Sequence, residues 1–400
     1  MRIFLLLAIL ICITTSSAKD IYADSYKSIQ DAINAAKDGD TIYVKGGVYN
    51  EGISINKGIK LVGSYDGNKT ILNGIRIDTA INVFADNVEI TGFTILNPNH
   101  GIWVYRSNNS SIHNNTIENV NLAISIDSGN YNEIYNNNIA MCCDYGIYLT
   151  CSKHSKILNN NIIKTGFGIY FYKSNQNVVY KNNIIHSCHD GVGLYYSENN
   201  SIDSNKVVIC RDSGISLNSY SNNNSIYNNF IDEVFRGVAI YYSKYNEVKN
   251  STIINYYNYG IDTYIAGYNK IVNNTIENTL KFINNVIRID TSKNNTIYKN
   301  NFFEGYKLYI YKSDNNSIFL NNFVNTSIQQ YKSKTKLNTT KVDYTYHGKN
   351  YTNYLGNYYN NYKGKDVNKD GVGDSAYKID SVSDRYPLME PYTAYYLNKY

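Results

Sequence analysis

Proline is nearly absent, with three residues in 400. Proline removes a backbone donor and is confined to strand edges, so its scarcity lets long strands run without interruption. Charge of either sign is also sparse: 38 Lys and Arg stand against 33 Asp and Glu, a formal +5. The lysines are scattered through turns and form no basic stripe, which excludes a nucleic-acid footprint. After the first residues no stretch reaches the eighteen or more apolar residues of a membrane helix, so no later membrane span is expected. Methionine falls to three residues, too few for the thioether cluster that would handle copper(I).

The chain is rich instead in asparagine and tyrosine, with 43 tyrosines, and 43% of its residues are hydrophobic. That is enough apolar material for a core and excludes a wholly disordered polymer. The opening "MRIFLLLAILICITTSSAKD" has a basic residue, an apolar run and small residues up to Ala18. It reads as a secretory signal peptide over 1–18, with a secreted or cell-surface product. Cys12 follows Ile11, so the small residue a lipid-anchor site needs is missing. Five cysteines follow the signal, Cys142, Cys143, Cys151, Cys188 and Cys210. An odd number leaves at least one thiol free, in a metal site or paired with another chain.

Aligning the chain on aliphatic-x-x-Asn gives ten consecutive copies, at Ile112, Ile134, Ile157, Val179, Ile202, Ile226, Val248, Ile271, Ile297 and Ile318. Three residues on stand Asn115, Asn137, Asn160, Asn182, Asn205, Asn229, Ser251, Asn274, Asn300 and Asn321. Before each copy lies an alternating run such as "GIWVY", "GIYLT" or "GIYFY", the period-2 signature of a strand. Short strands in a repeat of 22–24 residues, without helical periodicity, predict an all-β chain. The expected form is a right-handed parallel β-helix of about 12 coils, each pairing only with its neighbours. An amide both donates and accepts, so the Asn column can form a ladder from coil to coil, and Asn tolerates the left-handed backbone of a sharp turn. At the start, Ile29, Ala32, Ile33 and Ala36 share one face of a short helix, with Ser28 and Asp31 spaced as a capping box. The expected divisions are a signal peptide at 1–18, an N-terminal cap at 19–45, repeats at 46–327 and a C-terminal cap at 328–400.

The opening "SIQDAINAAKDGDTIYVKGGVYNEGISINKGIKLVGS", the coils and the tail "GNYYNNYKGKDVNKDGVGDSAYKIDSVSDRYPLMEPY" together resemble the NosD-like family of secreted right-handed parallel β-helix proteins. The resemblance implies a carbohydrate-binding or sugar-hydrolysis type of β-helix. For the family's namesake it implies periplasmic help in assembling a copper enzyme.

Outward strand positions carry the candidate binding surface. Trp103, Tyr148 and Tyr170 fall in one column, and Tyr105, Tyr172, Tyr195, Tyr241 and Tyr264 in the next. Such rings offer apolar faces with polar tips to sugars, although tyrosine also simply suits strands. The outward acids Asp127, Asp262 and Asp290 form no dyad: Asp127 is six coils from Asp262, and Arg288 shares the column of Asp262, where a surface ion pair is expected. The turn before the strands gathers Cys142, Cys143, Cys188, His189 and Cys210, as a disulfide between Cys188 and Cys210, as buried thiols or as a soft site for copper or zinc. In "DVNKDGVGD", Asp366, Asn368, Asp370, the Val372 carbonyl and Asp374 match the first ligands of an EF-hand loop, with Gly371 at the turn. Tyr377 stands where the last glutamate would be, and Asp380 or Asp384 is available to complete a structural calcium site. The sequence reading is therefore a non-catalytic, exported β-helix that binds or organises polysaccharide or cell-surface glycan, with surface proteins as further partners. A polysaccharide lyase or hydrolase and a copper-site accessory protein are the alternatives.

Overall fold

The computed structural model describes residues 17–280, 284–379 and 382–397. Residues 1–16 of the expected signal peptide lie outside that range. The fold is the expected right-handed parallel β-helix. Each coil contributes a three-residue strand, such as Ser111–His113, Glu133–Tyr135, Lys156–Leu158 or Val178–Tyr180, to one 15-stranded sheet. The other faces merge into a 22-stranded sheet, because long strands such as Thr116–Asp127, Asn138–Thr150 and Asn161–Tyr172 run through two of them. The less regular segment before His100, part of the expected repeats, pairs in the same parallel register.

Alternation places the apolar set inside. Ile134, Ile157, Val179, Ile202 and Ile226 stack in strict register and are fully buried, each side chain contributing about 1.5–3 kcal/mol by leaving water. The helix Ile29–Ala35 closes the first coil with Ile29, Ala32 and Ile33 buried. Its Ser28 side chain accepts the Asp31 N–H at 3.0 Å. The Glu51 carboxylate takes the N–H groups of Ile29 and Gln30, so donors orphaned at the helix start are satisfied from the next coil. At the far end an antiparallel sheet of Val342–Tyr346, Lys349–Asn353 and Tyr395–Leu397 covers the stack.

The Asn ladder forms. The Asn182 amide donates to the Asn205 side-chain oxygen at 3.0 Å and to the Ile157 carbonyl at 2.9 Å. Its own oxygen accepts the Asn160 N–H and amide. The left-handed backbone expected of this column belongs instead to the residue before it, as at Asn114, Asn136 and Asn159, with φ of 54°, 54° and 53°. A second ladder at the preceding turn was not expected: Asn177, Asn200, Asn224, Asn246 and Asn269 repeat the pattern. The first ladder ends in the cap, where Asn321 donates to Asn357 and Asp384 accepts from Asn357, Tyr359 and the Tyr386 N–H. Asp384 is fully buried in this role, which corrects its expected use as a calcium ligand. Asp380 lies outside the described residues.

Replacing Asn182 by Ala orphans the Ile157 carbonyl and the Asn160 N–H, two buried backbone groups of the preceding coil, and should cost on the order of 3 kcal/mol. Replacing Asn183, whose amide bonds Asn161 at the surface, should cost under about 0.5 kcal/mol. Equilibrium urea unfolding of the two variants checks the difference; equal losses would show that the ladder does not carry the stack.

Candidate active site

Strand pairing fixes three outward columns on the large sheet. The first runs Trp103, Ser125, Tyr148, Tyr170, Gly193, Ser216, Ala239, Asp262 and Arg288. Two residues along lie Tyr105, Asp127, Thr150, Tyr172, Tyr195, Asn218, Tyr241 and Tyr264. All eight expected binding aromatics therefore share one face, each half-buried. They pack partly on one another: Tyr172 stacks on Tyr195 at 6.0 Å between centroids, and Tyr241 meets Tyr264 edge-on. The third column, unexpected from the sequence, holds His100, Leu122, Tyr145, Phe167, Ser213 and Arg236. Asp190 continues it, its carbonyl accepting the Gly168 N–H.

Asp190 is the least expected member of this face. Only 7% of it is exposed; one carboxylate oxygen accepts the Ser216 hydroxyl at 2.6 Å and the other the Ser213 N–H at 2.9 Å. Burial pushes its carboxyl up to about 6, against the Ser216 and Ser213 hydrogen bonds and with the charge of Asp212 adding to the rise. Beside it the Tyr170 ring lies over Gly193 and fills the space a side chain would take: a Cβ there would lie 2.8 Å from that ring and 3.4 Å from the Asp190 carboxylate. Asp212, one coil on, is half-exposed and ion-paired with Arg236. A buried acid, a more exposed carboxylate and an aromatic wall thus lie close together on this face. That is the equipment for proton transfer to a bound polar ligand.

Further along, Asp262 takes Arg288 at 2.6 and 2.9 Å, Arg236 at 3.4 Å and the Tyr241 hydroxyl. The expected pairing with Arg288 is present, but the Asp262 side chain is fully buried, so the pair is not a surface one. It organises Arg236, which in turn holds Asp212. Among the described residues the Asp127 and Asp290 carboxylates accept their neighbouring hydroxyls, Ser128 and Thr291, and stay apart.

The cysteine group separates across the wall. Ser187, not Cys188, lies opposite Cys210, so Cys142 and Cys210 point inward while Cys143 and Cys188 are exposed outside. All five cysteines are free, which corrects the expected Cys188–Cys210 bridge. Burial pushes the Cys142 and Cys210 thiols up to about 12, far from a metal-binding thiolate. His189 stacks on Phe167 at 4.7 Å. Among the described residues no group of three or more His, Cys, Asp or Glu side chains is placed to hold a metal. In the tail loop, Asp366 accepts the Asp370 and Gly371 N–H groups, Asp370 accepts the Val372 N–H, and Asp374 accepts the Val367 N–H.

The sequence reading did not single out Asp190 or Asp212. Aligning the glycines Gly146, Gly168, Gly191, Gly214, Gly237 and Gly260 would have exposed the column before them, and with it Asp190.

Solved structures share this architecture. The catalytic unit of a GH87 alpha-1,3-glucanase from Streptomyces thermodiastaticus strain HF3-3 aligns with a TM-score of 0.60 at 12% identity, over 74% of this chain and 66% of that one. This chain therefore spans slightly less than two thirds of that unit. The catalytic domain of a GH87 alpha-1,3-glucanase in complex with nigerose aligns at 0.53 and 15% identity, over 80% and 68%. PfbA, a surface adhesin of Streptococcus pneumoniae, aligns at 0.52 and 14% identity, over 86% and 100%. At these identities the likeness is one of fold. No curated protein matches the sequence. The family described as "Right handed beta helix region" matches residues 51–207 and 181–324. Because these matches span most of the coils, the chain belongs to that right-handed β-helix family.

Proposed function

We propose that the chain is a glycoside-cleaving β-helix that acts on a polysaccharide lying along the aromatic columns. The observation that carries this reading is Asp190, a carboxyl raised by burial, beside Gly193 and Tyr170 and with the charge of Asp212 nearby on the aromatic face. Asp190 donates its proton to the glycosidic oxygen as the bond to the anomeric carbon breaks. Asp212 takes a proton from the water that adds to that carbon. Two carboxyl groups in unlike environments supply acid and base in this way. Tyr148, Tyr170 and Tyr172 bind flanking sugars through ring faces and hydroxyls. Fold likeness to the two alpha-1,3-glucanases supports a glycan substrate by analogy only, and the adhesin PfbA shares the fold to a similar degree. The signal-like opening places the activity outside the cytoplasm. The copper-accessory role implied by the NosD-like resemblance gains no support from thiols that face opposite sides of the wall.

We also propose a structural calcium ion in the tail. The oxygens of Asp366, Asn368 and Asp370 converge on consecutive N–H groups, and Gly371 turns the loop at φ 86°. These hard oxygen donors fit calcium. Its role is to fasten a cap already tied by the Tyr344 and Tyr395 hydroxyls to the Asp370 and Gly371 carbonyls.

Reducing-end release from a panel of soluble glucans, uronans and chitosan tests the activity. Asp190→Asn should lower kcat by about 10²–10⁴-fold, and Tyr170→Ala should raise KM. No release from any polysaccharide between pH 4 and 7 would overturn the reading. The same carboxyl has a stability signature. Its folded pKa of about 6 exceeds the unfolded value, so the folded state holds the proton and its stabilisation is lost as pH rises from about 4 to 6. The span is about 2 units, or about 3 kcal/mol. Unfolding free energies of Asp190→Asn should show that much less pH dependence. Calcium should raise the thermal midpoint by several degrees and have no effect on Asp366→Asn; an equal midpoint with calcium or a chelator would remove the metal from the account.

A further inference from the structure

The aromatic face contains a hollow three coils from Asp190. It has a volume of about 330 Å³, within the range of small-molecule sites. Ser125 forms its floor, and Trp103 and Tyr148, one coil to either side, form its walls. Two coil spacings separate those residues by roughly 9.6 Å. With contacts of about 3.5–4 Å on each side, that span admits one saturated ring.

Two features of the lining select among sugars. Ser125 is only 6% exposed, and its hydroxyl is not among the buried side-chain atoms left without a partner. The oxygen is therefore open to the hollow and can donate to or accept from a ligand. The charged lining is acidic: Asp78 and Asp127 with His100, and no Lys or Arg. The Asn99 amide, at 3.0 Å, holds the Asp78 carboxyl below its ordinary value. A uronate or sulfated sugar would meet like charge at this site. A neutral hexose would gain ordinary hydrogen bonds. An ammonium group would gain charge-assisted bonds to the carboxylates and the attraction of the Trp103 ring.

We infer that this hollow is a subsite for a hexosamine with a free amine, so that the polysaccharide carries unacetylated amino-sugar units. The inference rests on the polysaccharide reading above and names its substrate class. The hollow lies about 14 Å from Asp190 at the coil spacing, so it sets which chain is accepted and leaves bond cleavage to Asp190 and Asp212.

Calorimetric titration of the full chain with a glucosamine tetramer, an N-acetylglucosamine tetramer and cellotetraose tests the inference. The glucosamine tetramer should bind at least tenfold more tightly than either neutral oligomer. Asp127→Asn and Asp78→Asn should each cut that preference severalfold with unchanged circular dichroism, and Trp103→Ala should weaken all three ligands. Equal affinity for the three tetramers would overturn the amino-sugar subsite and leave the polysaccharide reading standing. Binding of none would remove both.

Discussion

Every outward position on this protein depends on coil-to-coil hydrogen bonding, and the buried asparagine ladders hold that register. Each ladder amide bonds the next side chain and a backbone carbonyl of the coil before, so a one-residue slip would break bonds on three coils at once. A slip would also turn the isoleucine stack out into water. The ladders therefore convert residues about 22–24 positions apart in sequence into neighbours about 4.8 Å apart in space. Asp190, Ser213 and Ser216 meet only because of that conversion. The polar column is capped at its C-terminal end by Asp384, a buried acid raised to about 6 by burial, against hydrogen bonds from the Tyr386 and Asn357 N–H groups.

The sequence revealed most of this fold because its two governing signals are local. Alternation names the inward residues, and the spacing of Asn115, Asn137 and Asn160 names the ladder. What it hid lies at the bend between two faces of the large sheet. There the pairing shifts, between Val120 and Leu122, Cys142 and Tyr145, and Cys210 and Ser213, and the inside–outside parity changes with it. Cys188 and Cys210 flank this shift, which is why one faces out and the other in. Asp190 sits at the same bend, where period-2 counting from the strand that follows does not settle its surroundings. The burial that raises its carboxyl comes from coils on both sides.

The aromatic face serves two ends. Much of the tyrosine area is consumed in ring–ring contacts along the columns, which stiffens the sheet. Where the column residue is small, at Ser125, the stack opens into the hollow, whereas at Gly193 the Tyr170 ring closes over the backbone. The candidate sugar subsite is therefore an interruption in an otherwise closed aromatic surface. The buried Asp262 cluster belongs to the same logic: two guanidiniums fixed on one carboxylate place Arg236 beside Asp212. Relatives in fold include glucanase units and an adhesin, and the chemistry of a β-helix is set by such local groups on its face.

The central claim is that Asp190 holds its proton up to about pH 6, well above the ordinary carboxyl range. Carbon-13 NMR of the chain labelled at aspartate carboxyls measures this without any ligand, with the resonance assigned by its loss in Asp190→Asn. A titration midpoint near 6 is predicted; a midpoint near 3.8, the ordinary carboxyl value, would contradict the account.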